Sequence, residues 1–478
     1  MNRQLKVGKS FVQEIRTKIV AEADVVVAGG GTAGVVAALA AARNGVQTLL
    51  VERYGFLGGM MTAGNAGLTK YIVHSTDRSD YAKVLEKLAD KPSEVQIVGG
   101  IPMEITDELM KIGAGIGPAG SYVFTSSEDF KWLLLTMLQK ARVQLLLHSW
   151  IVDVLKEGNV IKGIVVENKS GRQAILGKVI IDATGDGDVA ARAGAPFETG
   201  VGPNDLSAKA GVKIGSMSPM GVMFKVGNVN LPQLFEYLKN KPEIFQIQGC
   251  ALLSLEEASV NLKKRETMTI NVKTDFSPYY FQVYNLPMEG VATLCCPCYH
   301  GDGTSAADLT KAEIAIRKMV RIWCEKIRKI PGFHEMYLLD CPQIGVRETR
   351  FIQGEYVMTA DDIFNTQKFE DSIGRGSHPV DASPMPESIK KHRLPPRWYF
   401  NIPYRCLVPK KIENLLVAGR CISVTHEAFS CVRPTVQCMI TGQAAGAAAA
   451  MCAKQDIYPR NINTDDLCKS LKSQGVII

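Results

Sequence analysis

The chain has no long run of Lys or Arg. Clusters such as Lys263-Lys264-Arg265 are too short for a nucleic-acid or nuclear-import patch, and 55 basic against 48 acidic residues leave a net charge of only +7. Nucleic acid is therefore set aside as a partner. Cysteine is sparse, 12 in 478 residues, which excludes a small disulfide-stapled scaffold. No four-cysteine spacing of the ferredoxin kind occurs, so an iron–sulfur cluster is not expected. The first twenty residues interleave Arg3, Lys6, Lys9, Arg16 and Lys18 with apolar residues and lack the apolar core of a secretory leader. Reduced thiols and no leader point to a cytoplasmic protein. One uncharged run, Val25–Ala42, could be mistaken for a membrane span, but Gly29, Gly30, Gly31 and Gly34 interrupt it. A strand, a glycine turn and a helix explain it better, and no membrane span is expected.

What is present is ordinary globular composition, 46% hydrophobic and 22% charged, at a length suited to one large domain or two to three interleaved ones. Asp24–Ala28 reads as a strand buried on both faces. Thr32–Asn44 reads as an Ala-rich helix stopped by Gly45, and Val46–Val51 as the next strand. Helices are expected over Asp80–Asp90, Met103–Lys111 and Ser127–Arg142, and strands over Val143–Val154, Val160–Glu167 and Lys178–Ala183. Short alternating segments, Met220–Val226 and Tyr279–Tyr284, suggest a mixed or antiparallel sheet, followed by a helix over Ala306–Lys329. Residues 371–398 read as a Pro- and Ser-rich loop. Leu415–Ala418 is again a buried strand, and Pro434–Ala453 a long helix of small residues.

The fold class is therefore α/β with an α+β second domain. The division is a basic N-terminal arm or weakly amphipathic helix over 1–22, a nucleotide-binding first part over 23–200 with a loop-rich excursion about 60–125, an inserted mixed-sheet substrate domain over 201–400, and a nucleotide-binding return over 401–478.

Gly29-Gly30-Gly31-Thr32-Ala33-Gly34 fits G-x-G-x-x-G, between a strand and a helix, and Glu52 lies 21 positions after Gly31. Gly29 permits the tight turn, Gly31 lets backbone approach a pyrophosphate, and Gly34 packs helix on strand. Glu52 would accept hydrogen bonds from an adenosine ribose. The fingerprint alone leaves NAD and FAD open. No second such loop stands in mid-chain, where pyridine-nucleotide disulfide reductases carry an NAD(P)H domain, which leaves NAD(P)H only a transient binding without that fingerprint. Cys295-Cys296-Pro297-Cys298 holds one C-x-x-C spacing, and with His300 makes a compact Cys3His set. Adjacent Cys295 and Cys296 are awkward around one zinc, so these read as apolar thiols on a strand, with no metal expected.

Residues 24–67, from Asp24-Val25-Val26-Val27-Ala28 through Leu57-Gly58-Gly59-Met60, resemble the start of glutathione-reductase-type flavoproteins. More closely they resemble a bacterial family of FAD-dependent oxidoreductases. Arg347-Glu348-Thr349-Arg350, Ile402-Pro403-Tyr404-Arg405, Leu415 to Arg420 and Thr441 to Gly446 stand in that family's order. The resemblance covers about 24–200 and 340–453; residues 201–340 resemble no named family. It implies a discontinuous glutathione-reductase-like FAD domain with extended FAD. Gly29, Gly31, Thr32, Ala33, Gly34 and Glu52 would hold the adenosine diphosphate end, and Arg53, Gly58, Gly59 and Met60 the ribityl and pyrophosphate. Backbone at Ile151 and Val152 would meet adenine, Ala183, Gly185 and Asp186 would pass the pyrophosphate, and Gly419 and Arg420 would reach it or the ribityl. The helix opening at Arg433-Pro434-Thr435-Val436 would aim its positive end at the flavin N1/C2=O edge. None of the seven histidines stands in the Gly55–Gly67 loop, which argues against covalent attachment through histidine.

For chemistry, the distant similarity to fumarate reductase and aspartate oxidase flavoproteins implies a substrate or acid–base role for His426, with loop ordering as the alternative. Arg433 would anchor an anionic substrate or pair with an acid. Strand alternation lets only one of Arg347 and Arg350 face the site, and Arg347 is chosen. His378 with Asp381 reads as a surface loop or a lid. The expected activity is hydride transfer between flavin N5 and a small organic substrate bearing a carboxylate or carbonyl, with that substrate or an external electron carrier reducing the flavin. The alternatives are a structural or assembly-bound FAD, and an NAD-bound sulfur-transfer or thiazole-forming protein of related fold.

Overall fold

The computed structural model describes residues 13–69, 71–73, 83–84, 86–88, 90–117, 122–249, 251–252, 260, 269–386, 389, 394–395 and 397–478. Of the helix expected over Asp80–Asp90, the described residues 83–84, 86–88 and 90 are helical, and residues 1–12 of the N-terminal arm lie outside the described residues. Strand β1 (Lys18–Ala28), helix α1 (Thr32–Arg43) and strand β2 (Thr48–Val51) form the expected unit, with Val25 opposite Thr48 in a parallel pair. Val25, Val26, Val27 and Ala28 are fully buried, as a strand covered on both faces must be.

Two local expectations differ. Residues 18–22, read as arm or helix, extend β1 as strand, with Lys18 opposite Gln173 and Glu22 opposite Leu176. Pairing with a preformed neighbour satisfies backbone groups that a short isolated helix would hold only marginally. The single strand read over Val143–Val154 is two, β3 (Gln144–Leu146) and β4 (Trp150–Glu157). His148, at φ 52°, turns the chain between them, and the amides of His148 and Ser149 donate to the carbonyls of Tyr54 and Glu52. No glycine or proline advertises that turn.

With β5 (Val160–Asn168) and β6 (Gly171–Asp182), the sheet runs β3-β2-β1-β6-β5-β4, and Leu415–Val417 lies parallel to the end of β6. One sheet thus draws strands from both ends of the chain. A second, antiparallel sheet is built from β7 (Met220–Gly227), β8 (Phe245–Gly249), β9 (Ala251–Leu252), β10 (Thr269–Thr274), β11 (Ser277–Asn285), β12 (Ala292–Tyr299) and β13 (Tyr337–Asp340), in the order β9-β8-β10-β11-β12-β7-β13. Val222, Phe224, Ile270, Phe281, Val283 and Leu294 on one face pack with Ala312, Ile316 and Val320 of helix α2 (Ala306–Ile327). By strand alternation, Gly221, Met223, Lys225, Gln282, Tyr284, Thr293 and Cys295 occupy the opposite face.

Helix α3 (Thr435–Gln455) lies against α1. A Cβ at Gly442 would collide with the Ala33 carbonyl, and one at Gly446 with the Ala37 carbonyl, so two helix backbones touch where these residues have no side chain. α3 is long and apolar enough to cross a membrane by length and composition, yet 89% of its apolar window is buried inside the protein. Gly442→Val should cost about 2–3 kcal/mol or more by overpacking. Urea unfolding should show a lowered midpoint, and an unchanged midpoint would contradict this crossing.

Candidate active site

The glycine turn joins β1 to α1. Gly29 sits at φ +102°, and a Cβ there would lie 2.6 Å from the Ala183 carbonyl oxygen. A Cβ at Gly31, by contrast, would meet only the Gly59 Cα, at 3.8 Å. Gly58 donates to the Gly30 carbonyl at 2.9 Å, and the Thr32 hydroxyl reaches the Gly58 carbonyl at 3.5 Å. Gly31, Thr32, Gly58 and Gly59 therefore come together as two backbone loops with little between them. α1 starts there without a side-chain cap among the described residues, which leaves first-turn N–H groups for an anion.

Glu52 is 6% exposed; its two carboxylate oxygens accept from the amides of Gly30 at 2.7 Å and Tyr54 at 2.9 Å. Burial raises its pKa, and the amides counter that only in part. Each oxygen keeps a further lone pair for a ribose hydroxyl. Beside it a cavity is lined by Gly29, Glu52, Arg53, Trp150, Ile151 and Thr184. The Arg53 guanidinium lies 4.9 Å from the Tyr54 ring and 5.1 Å from the Trp150 ring. Trp150 was not singled out from sequence; its signal is a large aromatic, 52% exposed, beside the Ile151–Val152 pair. The Val152 carbonyl is taken by Arg192 Nε at 2.9 Å.

At the end of β6, buried Asp182 accepts from the Thr184 amide and hydroxyl at 3.1 and 2.7 Å and from the Ala190 amide at 2.9 Å. It thereby shapes the turn carrying Ala183, Gly185 and Asp186. Asp186 pairs with Arg420 Nη2 at 2.6 Å, and Arg420 Nη1 donates to Thr349 at 3.0 Å. Arg420 thus ties the β6 turn to the Arg347–Arg350 run, while Arg350 pairs with Asp188 at 3.0 Å. The Gly419 amide donates to the Thr441 hydroxyl oxygen at 2.9 Å, and a Cβ on it would stand 3.0 Å from that of Ala33 and 4.0 Å from that of Cys438. It lies between the starts of α1 and α3.

α3 also begins without a side-chain cap among the described residues. Thr435 donates to the Gly67 carbonyl at 2.9 Å, Val436 is fully buried, and the Met60 methyl lies 3.0 Å from where a Gly345 Cβ would be. Arg433, just before α3, pairs with Asp381 at 3.0 Å, but its buried Nε has no hydrogen-bond partner among the described residues. His378 Nε2 stands 3.9 Å from Asp381, and the Arg347 charge also acts on it. Burial raises the Asp381 pKa, yet Arg433, His378 and Arg347 outweigh it and hold the carboxyl below the usual range. The Asp381 side chain is 47% exposed. Arg347 donates to the Pro219 carbonyl and reaches Cys298 Sγ at 3.9 Å.

His426 is fully buried. Nδ1 meets Glu348 Oε1 at 2.7 Å and Nε2 meets the Pro384 carbonyl at 3.2 Å. A carbonyl only accepts, so Nε2 donates to Pro384. Burial works against a charge on the ring, but Glu348 prevails and the pKa is raised.

The parts fit an extended dinucleotide. A cavity with a carboxylate lies beside a bare two-loop backbone cradle at the uncapped start of α1, and Gly419 joins that start to the uncapped start of α3.

A family model described as FAD dependent oxidoreductase matches residues 24–471. Digeranylgeranylglycerophospholipid reductase 1 of Methanopyrus kandleri is 30% identical over 168 residues, covering 34% of this chain and 40% of that protein. Thiamine thiazole synthase of Methanococcus vannielii is 27% identical over 172 residues, covering 34% of this chain and 56% of that one. The matches thus span 40% and 56% of those relatives' lengths. Among solved structures, a geranylgeranyl bacteriochlorophyll reductase-like protein from Thermoplasma acidophilum aligns over 95% of this chain and 84% of its own, at 14% identity and TM-score 0.46.

Burial pushes the Asp182 pKa up to about 6, partly offset by its hydrogen bonds. A carboxyl with a raised folded pKa adds stability that is complete below its unfolded pKa and lost as pH rises through the folded one. Two pH units correspond to about 3 kcal/mol. Stability measured by urea between about pH 4 and 6 should carry this loss, and Asp182→Asn should remove it. An identical pH profile in the variant would refute the assignment.

Proposed function

The chain belongs to the FAD-dependent oxidoreductase family, and we propose that it transfers a hydride between FAD and a small carboxylate-bearing organic substrate. In this reading the FAD domain is glutathione-reductase-like, and the substrate lies between the start of α3 and the face of the second sheet turned away from α2. When bound, FAD supplies the two-electron chemistry at its N5.

The residues' part is binding and charge placement. One observation carries the reading: two guanidinium groups, Arg433 and Arg347, and the His378 ring share a single carboxylate, Asp381, and the buried Arg433 Nε still lacks a partner among the described residues. The cluster therefore holds excess positive charge and an unused donor, which suits an anion. The uncapped start of α3 adds to that positive potential and would favour the anionic reduced flavin.

Arg433 is the anchor, and Arg347, on the substrate-sheet side, is the second. His426 acts as a positioning residue, since both ring nitrogens are engaged. It ties Pro384, in the segment carrying His378 and Asp381, to Glu348, next to Arg347. The source of electrons is the substrate or an external carrier.

Arg433→Ala should raise KM for an oxidisable or reducible carboxylate about 10–100-fold, the worth of one charged hydrogen-bonded contact. The purified variant should keep its yellow colour and its reduction by dithionite. Equal response to a carboxylate and its neutral amide, in wild type and variant alike, would overturn the anionic-substrate reading. Preparations that bind FAD but show no turnover-linked bleaching with any reductant would favour a structural flavin.

A further inference from the structure

Cys295 and Cys298, expected to be inert strand thiols, stand instead beside the Arg347 guanidinium, which lies 3.9 Å from the Cys298 sulfur. Along β7 and β12 the register runs Met220 with Tyr299 and Gly221 with Cys298, then jumps to Met223 with Cys295. Val222 therefore stands opposite two residues, Cys296 and Pro297. This is a β-bulge, one of the few places a strand tolerates proline. In a regular strand residues three apart point to opposite faces; the extra residue restores them to one face.

The packing agrees. Leu294 belongs to the α2-side core and Tyr299 packs against it, whereas Cys295 packs with Ile116, Phe124, Tyr284 and Leu286 on the opposite side. Cys298 lies on that opposite side too, facing the Arg347 guanidinium at 3.9 Å across the side-chain-free Gly221.

Two lines of contact connect this face to the start of α3. Arg433 pairs with Asp381, on which Arg347 also acts, and Arg347 reaches Cys298. Thr435 donates to the Gly67 carbonyl; a Cβ at Gly67 would lie 2.7 Å from Phe124, whose ring is 4.6 Å from that of Tyr284 beside Cys295. Of the ten described cysteines, seven are buried; Cys295, Cys298 and Cys341 are half-buried. Only Cys295 and Cys298 among those three stand close in sequence and share a strand.

We propose that Cys295 and Cys298 form a redox pair that exchanges two electrons with the flavin across the cleft. The inference rests on the flavin placement proposed above. In the oxidising direction both S–H bonds break and one S–S bond forms. The electron pair and one proton pass to oxidised flavin, and the second proton goes to solvent, so dithiol plus flavin becomes disulfide plus reduced flavin. Cys298, whose sulfur lies 3.9 Å from the Arg347 guanidinium, is the attacking sulfur, and Cys295 closes the bond. Burial pushes the Cys295 thiol up to about 11 despite Arg347, which suits a sulfur that stays protonated until the second step. Same-face neighbours on a strand stand about 6.6 Å apart at Cα, near the upper limit for a disulfide. Such a bond is strained and easily reduced, the kind used in catalysis rather than in structure.

The test is an anaerobic dithionite titration of air-oxidised holoenzyme, with peptide mapping after alkylation of the same samples. The wild type should take up about four electrons per flavin and Cys298→Ser about two. Mapping should show a Cys295–Cys298 disulfide before reduction and two alkylated thiols after it. Yellow wild-type protein that takes up about two electrons, with both thiols free throughout, would overturn the pair and leave the flavin reading standing. Folded protein that takes up no FAD would overturn both. Because mapping reads the wild type directly, the outcome does not depend on the variant folding.

Discussion

The contact on which the rest depends is the crossing of α1 and α3, backbone against backbone, at Gly442 and Gly446. Any side chain at those positions would force the axes apart. Close approach lets Gly419 sit between the two helix starts, so the positive ends of α1 and α3 are brought together. In the proposed placement one of these ends serves the diphosphate and the other the flavin ring, so that backbone N–H groups, which no side-chain rotamer can misplace, would carry much of the recognition.

Charge is placed in a second layer. Arg420 joins Asp186 to Thr349, and the buried ring of His426 joins Glu348 to the Pro384 carbonyl. These bridges hold the Arg347–Arg350 run against both the nucleotide turn and the segment bearing Asp381. A buried ion pair is expensive to desolvate, and its two extra partners here, the Ser218 amide on Glu348 and the Pro384 carbonyl on His426, satisfy much of that demand. The return is geometric: the cationic cluster at the cleft is held by neighbours drawn from four separate chain segments. On the bulged strand β12, two thiols come to one face where regular alternation would separate them.

Much of the nucleotide half was legible because its signals are local. The strand–glycine–helix order, Glu52 after the second strand, and the small residues of α3 each follow from steric needs within a short window. The break between β3 and β4 was not legible. His148 adopts a left-handed conformation without glycine, and the two pieces separate only because they pair on opposite edges of the sheet. Trp150 was missed for a similar reason: an exposed aromatic becomes meaningful only once Arg53 and the cavity lie beside it. His426 was legible as a notable residue, but its partners, 42 and 78 positions away, were not.

By itself the sequence determined the βαβ turn, the cofactor class it resembles, and the long apolar helix that returns late in the chain. Those depend on backbone sterics and on periodicities of two and 3.6 residues, which neighbours in sequence carry among themselves. Only the tertiary structure decided which charges meet, which histidine nitrogens are occupied, and which face Cys298 takes. Each of these is set by pairing register and long-range burial. A single extra residue in a strand, or a glycine beneath a guanidinium, changes the outcome without altering any local propensity.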